Sequence, residues 1–177
     1  MSWQIGCPHE GQLIDGEECE SCFYKRLPDD VSTVWCRYPT YKKRTENLIK
    51  TIDRSQHEEE AKKDKIALLY AQGKTRKAEE AEKELRELRL RRAALKLRLK
   101  ANKKMTREAH KINAPLVTAA EEYLSDLTRD SIIAEKILAP NKNLFELYTI
   151  IQQESITTPE NAIARALKYY GITNRSN

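Results

Sequence analysis

Residues 85–111, LRELRLRRAALKLRLKANKKMTREAHK, contain neither proline nor glycine and are rich in leucine, lysine and arginine. Because these residue types have high helix propensity, the stretch predicts an uninterrupted α-helix. Eight of its basic residues recur at intervals of three or four positions, which places them on one helix face. At ~1.5 Å per residue the row they form extends for about 38 Å. This row, called the cationic row below, consists of Arg86, Arg89, Arg92, Lys96, Lys100, Lys103, Arg107 and Lys111.

The cationic row has little counter-charge within its own stretch of sequence. Ten basic residues and a single acidic one, Glu87, fall between positions 86 and 107. Like charges three or four positions apart repel each other by roughly a few tenths of a kcal/mol, so another anion is expected to offset them. A one-sided row of positive charge matches the phosphate backbone of DNA or RNA. We therefore expect nucleic acid to bind there without sequence choice.

The same row allows two other interpretations. An acidic surface of a partner protein could supply the missing negative charge, and the protein would then be a structural adaptor or assembly subunit with no nucleic-acid role. The row could also be a solvated helix face, stabilised by ion pairs four positions apart such as Glu82–Arg86 and Glu87–Arg91.

An apolar seam runs along the same helix. Its members alternate at three and four positions, the a/d pattern of a coiled coil, although Arg92 and Asn102 also fall on this register. A second apolar strip lies on another face, so we expect the helix to pack on two sides, against a partner helix and against the C-terminal helices. A homodimer through residues 78–99 is one expected arrangement. The seam consists of Ala78, Ala81, Leu85, Leu88, Leu95 and Leu99, and the second strip of Leu90, Ala94, Leu97, Ala101 and Met105.

Charge and helix punctuation divide the chain into three predicted domains, 1–39, 40–112 and 113–177. Residues 38–112 carry 23 basic and 12 acidic side chains, and both flanking segments are net acidic. A cap at Thr40 is expected to start the long charged segment, which is either one helix or two helices broken near Gly73. Within it, HEEEA at 57–61 is predicted to be a solvated charge run.

Residues 113–177 show the punctuation of four short helices. The signals are Pro115 for the first, Asp130 and Pro140 for the second, Asn143 and Glu146 for the third, and Thr158, Pro159 and Gly171 for the fourth. Caps, prolines and a terminal glycine in these positions are typical of helix ends. Apolar residues at helical spacing predict a shared core. Eight acidic against six basic side chains disfavour phosphate contact, so we expect this segment to dock protein.

All four cysteines of the chain lie between residues 7 and 36. Cys19 and Cys22 form a C-x-x-C turn that presents two metal ligands, and Cys7 and Cys36 flank it. This spacing predicts one structural Zn²⁺ ion bound by Cys7, Cys19, Cys22 and Cys36, with His9 as the alternative ligand. So short a segment has too small a core to fold without such a staple.

The zinc module is expected to bind protein and not nucleic acid. Four protein ligands leave no open coordination position for catalysis. Thiolates around zinc would add negative charge to residues 1–37, which already carry seven acidic and three basic side chains. Such a surface repels phosphate. Within the module, VSTVWC at 31–36 predicts a short strand because it is β-branched and aromatic.

Together these patterns predict a mainly α-helical protein with a small N-terminal zinc-stabilised β/loop module, a long coiled-coil-like helix and a C-terminal bundle of short helices. No serine, cysteine or carboxylate pair stands in a recognisable catalytic frame, so we expect no enzyme. No apolar run approaches the ~20 residues that cross a bilayer, and the start lacks a secretory signal. We expect an intracellular protein, cytoplasmic or nuclear. Its expected role is regulatory or architectural, with nucleic acid bound by the helix and protein recruited by both ends.

Overall fold

The computed structural model describes residues 4–6, 13–15, 25–26, 35–36 and 38–173 of the chain. The expectation of a mainly helical protein is confirmed. The chain divides into two compact units, 1–49 and 50–177.

Short paired strands make up the described part of the chain before the first helix. Strand β1 (Gln4–Gly6) pairs antiparallel with β2 (Leu13–Asp15), and β3 (Lys25–Arg26) pairs antiparallel with β4 (Trp35–Cys36). The strand predicted at 31–36 is described over its last two residues. Of the expected zinc ligands, Cys7, His9, Cys19 and Cys22 lie outside the described residues, and only the backbone of Cys36 falls within them.

Helices form the remainder of the described chain. Helix α1 begins at Tyr38, two residues before the start predicted at Thr40. No helix in the described ranges combines the length and apolar character that a membrane crossing requires. The helices are α1 (Tyr38–Ala71), α2 (Thr75–Ile112), α3 (Pro115–Leu127), α4 (Ser131–Leu138), α5 (Leu144–Gln153) and α6 (Pro159–Tyr170).

The long charged segment is two helices, because the chain turns at Gly73. This glycine has a φ of 69°, the left-handed conformation that commonly ends a helix. The amide of Gly73 donates to the carbonyl of Tyr70 at 2.9 Å, and the amide of Lys74 donates to that of Leu69 at 2.9 Å. These two bonds form a Schellman motif, which satisfies the last carbonyls of α1 and reverses the chain into α2.

Helices α1 and α2 form an antiparallel hairpin next to this turn. Ile66 of α1 forms a small apolar cluster with Ala81 and Leu85 of α2, and Leu69 packs against it. The apolar seam predicted on α2 therefore contacts α1 of the same chain. A homodimer through this part of the seam would first have to displace α1.

The C-terminal part of α2 is the central element of a helical bundle. Helix α2 contacts α3, α4 and α5, and α3 in turn contacts α6. Leu90, which sequence placed in the second apolar strip, is 72% exposed, whereas Ala101 and Met105 of that strip are fully buried. The fully buried apolar side chains of the bundle include Met105, Val117, Leu124, Ile137, Leu144, Leu147 and Ile151.

Local capping sets the ends of the short helices, as predicted. The side chain of Asp130 accepts from the amide of Ile132 at 2.8 Å at the start of α4. Asn143 accepts from the amide of Glu146 at 2.8 Å at the start of α5. Gly171, with a φ of 64°, ends α6. Side-chain caps replace the hydrogen bonds that the first helical amides lack, and a left-handed glycine does the same for the last carbonyls.

Candidate nucleic-acid interface

The cationic row lies on a single unbroken helix. All eight of its residues fall within α2, which runs from Thr75 to Ile112 without an interruption. Seven of the eight are exposed, and Arg92 is partly buried in the seam that faces α1. The eight cations therefore lie along one continuous helix. How many of them can bind a ligand depends on which are already paired with a carboxylate.

Two members of the row are bound by a carboxylate from α1. Oε1 of Glu59 lies 3.0 Å from Nε of Arg89, and Oε2 of the same carboxylate contacts a guanidinium nitrogen of Arg92. Nζ of Lys63, one turn along α1, lies 3.0 Å from Oε1. One carboxylate thus holds three cations, two of them from the cationic row.

Glu59 remains ionised in this environment. The hydrogen bond from Lys63, then that from Arg89 and the charge of Arg92, hold the pKa of the Glu59 carboxyl below its ordinary value against the opposing effect of burial. The charged form therefore persists across the neutral pH range. Arg89 and Arg92 keep their counter-ion under the same conditions.

Within the part of the chain that the structure describes, the other six members of the row have no carboxylate partner. Each of the six is exposed. Charges without a local partner raise the positive potential along a surface and attract anions to it. These six, called the open cations below, are Arg86, Lys96, Lys100, Lys103, Arg107 and Lys111.

Packing on the opposite face of α2 keeps the open cations turned outward. Successive helical residues are rotated by ~100°, so positions two apart point in nearly opposite directions. Ala101, Met105 and Ala109 are buried in the bundle, whereas Lys103 and Arg107 between them are exposed. The bundle core therefore determines which side of α2 faces solvent.

A buried network of polar side chains also fixes the rotation of α2 relative to the bundle. The hydroxyl of Thr106 on α2 donates to Oε1 of Glu121 on α3 at 2.9 Å, and the hydroxyl of Ser125 donates to the same oxygen at 3.1 Å. The hydroxyl of Thr128 lies 3.0 Å from the side-chain oxygen Oδ1 of Asn102. Because a buried polar group left without its partner is costly, these bonds oppose rotation of α2 about its axis.

Two charged residues of α2, Lys104 and Glu108, do not belong to the cationic row because they bind the ends of neighbouring helices. Nζ of Lys104 donates to the carbonyl of Ile137 at 2.8 Å and also bonds those of Ala139 and Lys142, at and beyond the end of α4. One turn later, Oε2 of Glu108 accepts from the amide of Leu144 at 2.9 Å, at the start of α5. A cation at a helix C-terminus and an anion at an N-terminus both match the helix dipole.

We expect Lys104→Met to lower the free energy of unfolding by about 1.5–3 kcal/mol, because carbonyls that bond a charged donor lose it. Chemical denaturation followed by circular dichroism measures this loss. The matched control is Lys103→Met, one position away and exposed, which should change stability by less than about 0.5 kcal/mol. Equal effects of the two substitutions would contradict a capping role for Lys104.

The prediction that HEEEA at 57–61 is a solvated charge run is wrong for Glu59. Glu59 is buried, whereas its neighbours Glu58 and Glu60 are exposed. The missed signal is a heptad pattern on α1, in which Ile52, Ser55, Glu59, Lys62, Ile66 and Leu69 alternate at three and four positions. A carboxylate at such a position lies on the same face of α1 as its apolar neighbours and is therefore buried against the seam of α2.

Comparison of the chain with protein-family models, with curated proteins and with solved structures gives no match. The fold and the site define the molecule as a helical hairpin joined to a short-helix bundle, with six open cations on one face of the shared helix.

Proposed function

We propose that this protein binds nucleic acid through the phosphate backbone, with the open cations of α2 as its contact surface. The observation that supports the proposal is the set of six exposed positive side chains on one face of an unbroken helix, none of them paired with a carboxylate in the described chain. Phosphate groups spaced along a strand offer the anions that such a row lacks. The role proposed from this is regulatory or architectural and not catalytic.

The composition of α2 favours backbone contact over base recognition. The helix contains no phenylalanine, tyrosine or tryptophan, and His110 is its single aromatic ring, so it offers little surface on which unpaired bases could stack. Lysine and arginine contacts to phosphate position a protein on a duplex but carry no sequence information. We therefore expect similar affinities for duplexes of unrelated sequence.

Fluorescence anisotropy with labelled 20-base-pair DNA and RNA duplexes, and with the matching single strands, tests the proposal. Six phosphate contacts predict a slope of about −5 in log K against log salt, or roughly a thousandfold weakening between 50 and 200 mM salt. Absence of binding at 50 mM salt, or an affinity that does not respond to salt, would rule it out.

The second candidate is a structural adaptor whose cationic row pairs with an acidic protein surface. The contact of Glu59 with Arg89 and Arg92 favours it, because it shows a carboxylate satisfying two members of the row. Purification of the protein from cells with and without nuclease treatment distinguishes the candidates. An adaptor keeps its partner after nuclease, whereas partners held through nucleic acid are released.

We further propose that both ends of the chain recruit protein. In the C-terminal bundle, Ile132 of α4 and Phe145 of α5 are 62% and 45% exposed, and each offers apolar area to a partner. At the N-terminal end, the acidic composition of residues 1–37 favours a basic or apolar protein over nucleic acid.

For the zinc module, we expect native mass spectrometry of the purified protein to show one Zn²⁺ per chain. The C-x-x-C turn with flanking cysteines supports this expectation. Replacement of Cys22 by Ser should abolish binding. His9→Ala and Cys36→Ser then separate the two ligand sets, since only substitution of a true ligand lowers zinc affinity. A metal-free protein purified without chelator would refute the site.

A further inference from the structure

The Glu59 carboxylate contacts two arginines of the cationic row, Arg89 and Arg92. Carboxylate and phosphate oxygens both accept charge-assisted hydrogen bonds from guanidinium groups. Oε1 of the Glu59 carboxylate accepts a hydrogen bond from Arg89, and Oε2 forms an ion pair with Arg92. These two arginines are the only row members with a carboxylate contact among the described residues.

Both arginines remain within reach of an external anion. The side chain of Arg89 is 49% exposed and that of Arg92 is 20% exposed, whereas the Glu59 side chain is 7% exposed. A polar cavity of about 200 Å³ lies against the cluster, lined by Gln56, Glu59, Glu60, Lys63 and Arg92. A phosphate could therefore reach these guanidinium groups from solvent once the Glu59 carboxylate no longer holds them.

Charge in this cluster is unbalanced in favour of a second anion. Three cations, Lys63, Arg89 and Arg92, surround the one carboxylate of Glu59. Glu60, the other carboxylate at the cavity, lies 3.8 Å from Nδ1 of His57 and does not contact the arginines. The excess positive charge would attract a phosphate to both arginines if Glu59 no longer occupied them.

From this geometry we infer that Glu59 is an internal competitor for phosphate, which withholds Arg89 and Arg92 from nucleic acid and limits the row to its six open cations. This inference rests on the proposed function. Because Glu59 belongs to α1 and both arginines belong to α2, the competition depends on the closed hairpin. A partner that separated α1 from α2 would lengthen the row and tighten binding.

The experiment compares Glu59→Gln with Glu84→Gln in duplex-DNA titrations of the full-length chain. Both substitutions remove one negative charge. Glu84 is the matched control because it pairs across the same hairpin with Lys62, which is not a member of the cationic row. Each added phosphate contact contributes about 0.9 log unit of affinity at 0.1 M salt. We expect Glu59→Gln to bind roughly tenfold to sixtyfold more tightly, with a slope steeper by about 1.8, and Glu84→Gln to stay within about threefold of the unmodified protein.

A second measurement does not depend on how Glu59→Gln folds. In the unmodified protein, Arg89→Gln with Arg92→Gln should weaken binding by less than about threefold, because Glu59 already holds both side chains. As a separate check on the first measurement, the same pair combined with Glu59→Gln should remove the gain seen there. Lys96→Gln with Lys100→Gln, two open cations, should weaken binding about sixtyfold.

The outcomes separate the two proposals. Equal gains from Glu59→Gln and Glu84→Gln, or equal losses from the arginine and lysine pairs, would overturn the inference and leave nucleic-acid binding by the row intact. Absence of binding by the unmodified protein and by every variant would instead remove the proposed function, and the inference with it.

Discussion

Replacement of Lys96, Lys103 and Arg107 by glutamate is expected to weaken duplex-DNA binding by at least several hundredfold at 0.1 M salt. Three lost phosphate contacts at about 0.9 log unit each give roughly a 500-fold loss, and the new carboxylates add repulsion. All three residues are exposed on one face of α2, opposite the residues buried in the bundle. The substitutions should therefore leave the fold intact, which thermal denaturation followed by circular dichroism verifies.

The control for this triple variant reverses the charge of three residues of the same helix that lie outside the row. Arg76, Lys77 and Arg91 are exposed, and their replacement by glutamate changes the net charge by the same amount. We expect this variant to bind within about tenfold of the unmodified protein, since only long-range electrostatic attraction is altered. If the two triple variants lost affinity equally, net charge alone would explain the binding and the row would have no special role.

Leu124→Ala is expected to lower the free energy of unfolding by about 2–5 kcal/mol, the largest effect on stability that we predict. Leu124 of α3 is fully buried in the bundle core, so its truncation removes apolar contacts and leaves a cavity. Since small domains are stable by only about 5–15 kcal/mol, this loss is a large fraction of the total. Urea denaturation followed by far-ultraviolet circular dichroism measures it.

Leu90→Ala provides the matched control, with the same chemical change at a leucine that is 72% exposed. Its effect should stay within about 0.5 kcal/mol, because surface substitutions remove little packing and alanine favours helix. A loss at Leu90 as large as that at Leu124 would mean that the exposed strip near residue 90 is covered in solution, for example by a second copy of the chain.

The ends of the short helices could be predicted because capping is a local interaction. Asp130, Asn143 and Thr158 each accept from a backbone amide two or three residues away, so the sequence near the cap already contains both partners. Gly171 ends α6 for the same kind of local reason, since it adopts a left-handed conformation that other residues avoid. No distant contact is needed for any of these assignments.

The choice between one long helix and two was not decided by propensity. Gly73 is compatible with either arrangement, because a single glycine costs an exposed helix only about 1 kcal/mol. Contacts far apart in sequence favour the turn. Ile66 packs with Ala81 and Leu85, and Lys62 pairs with Glu84, only when the chain reverses. These contacts offset the break in the helix.

The sequence by itself determined the mainly helical character, the helix ends and the spacing of the eight cations, because each depends on residues within a few positions of one another. Only the tertiary structure decided which cations are available. Glu59 is 30 and 33 positions from Arg89 and Arg92, and although the heptad patterns place Glu59 and Arg92 on seam positions, they do not specify that these residues meet. A periodic pattern specifies which face a residue occupies, whereas folding specifies what covers that face.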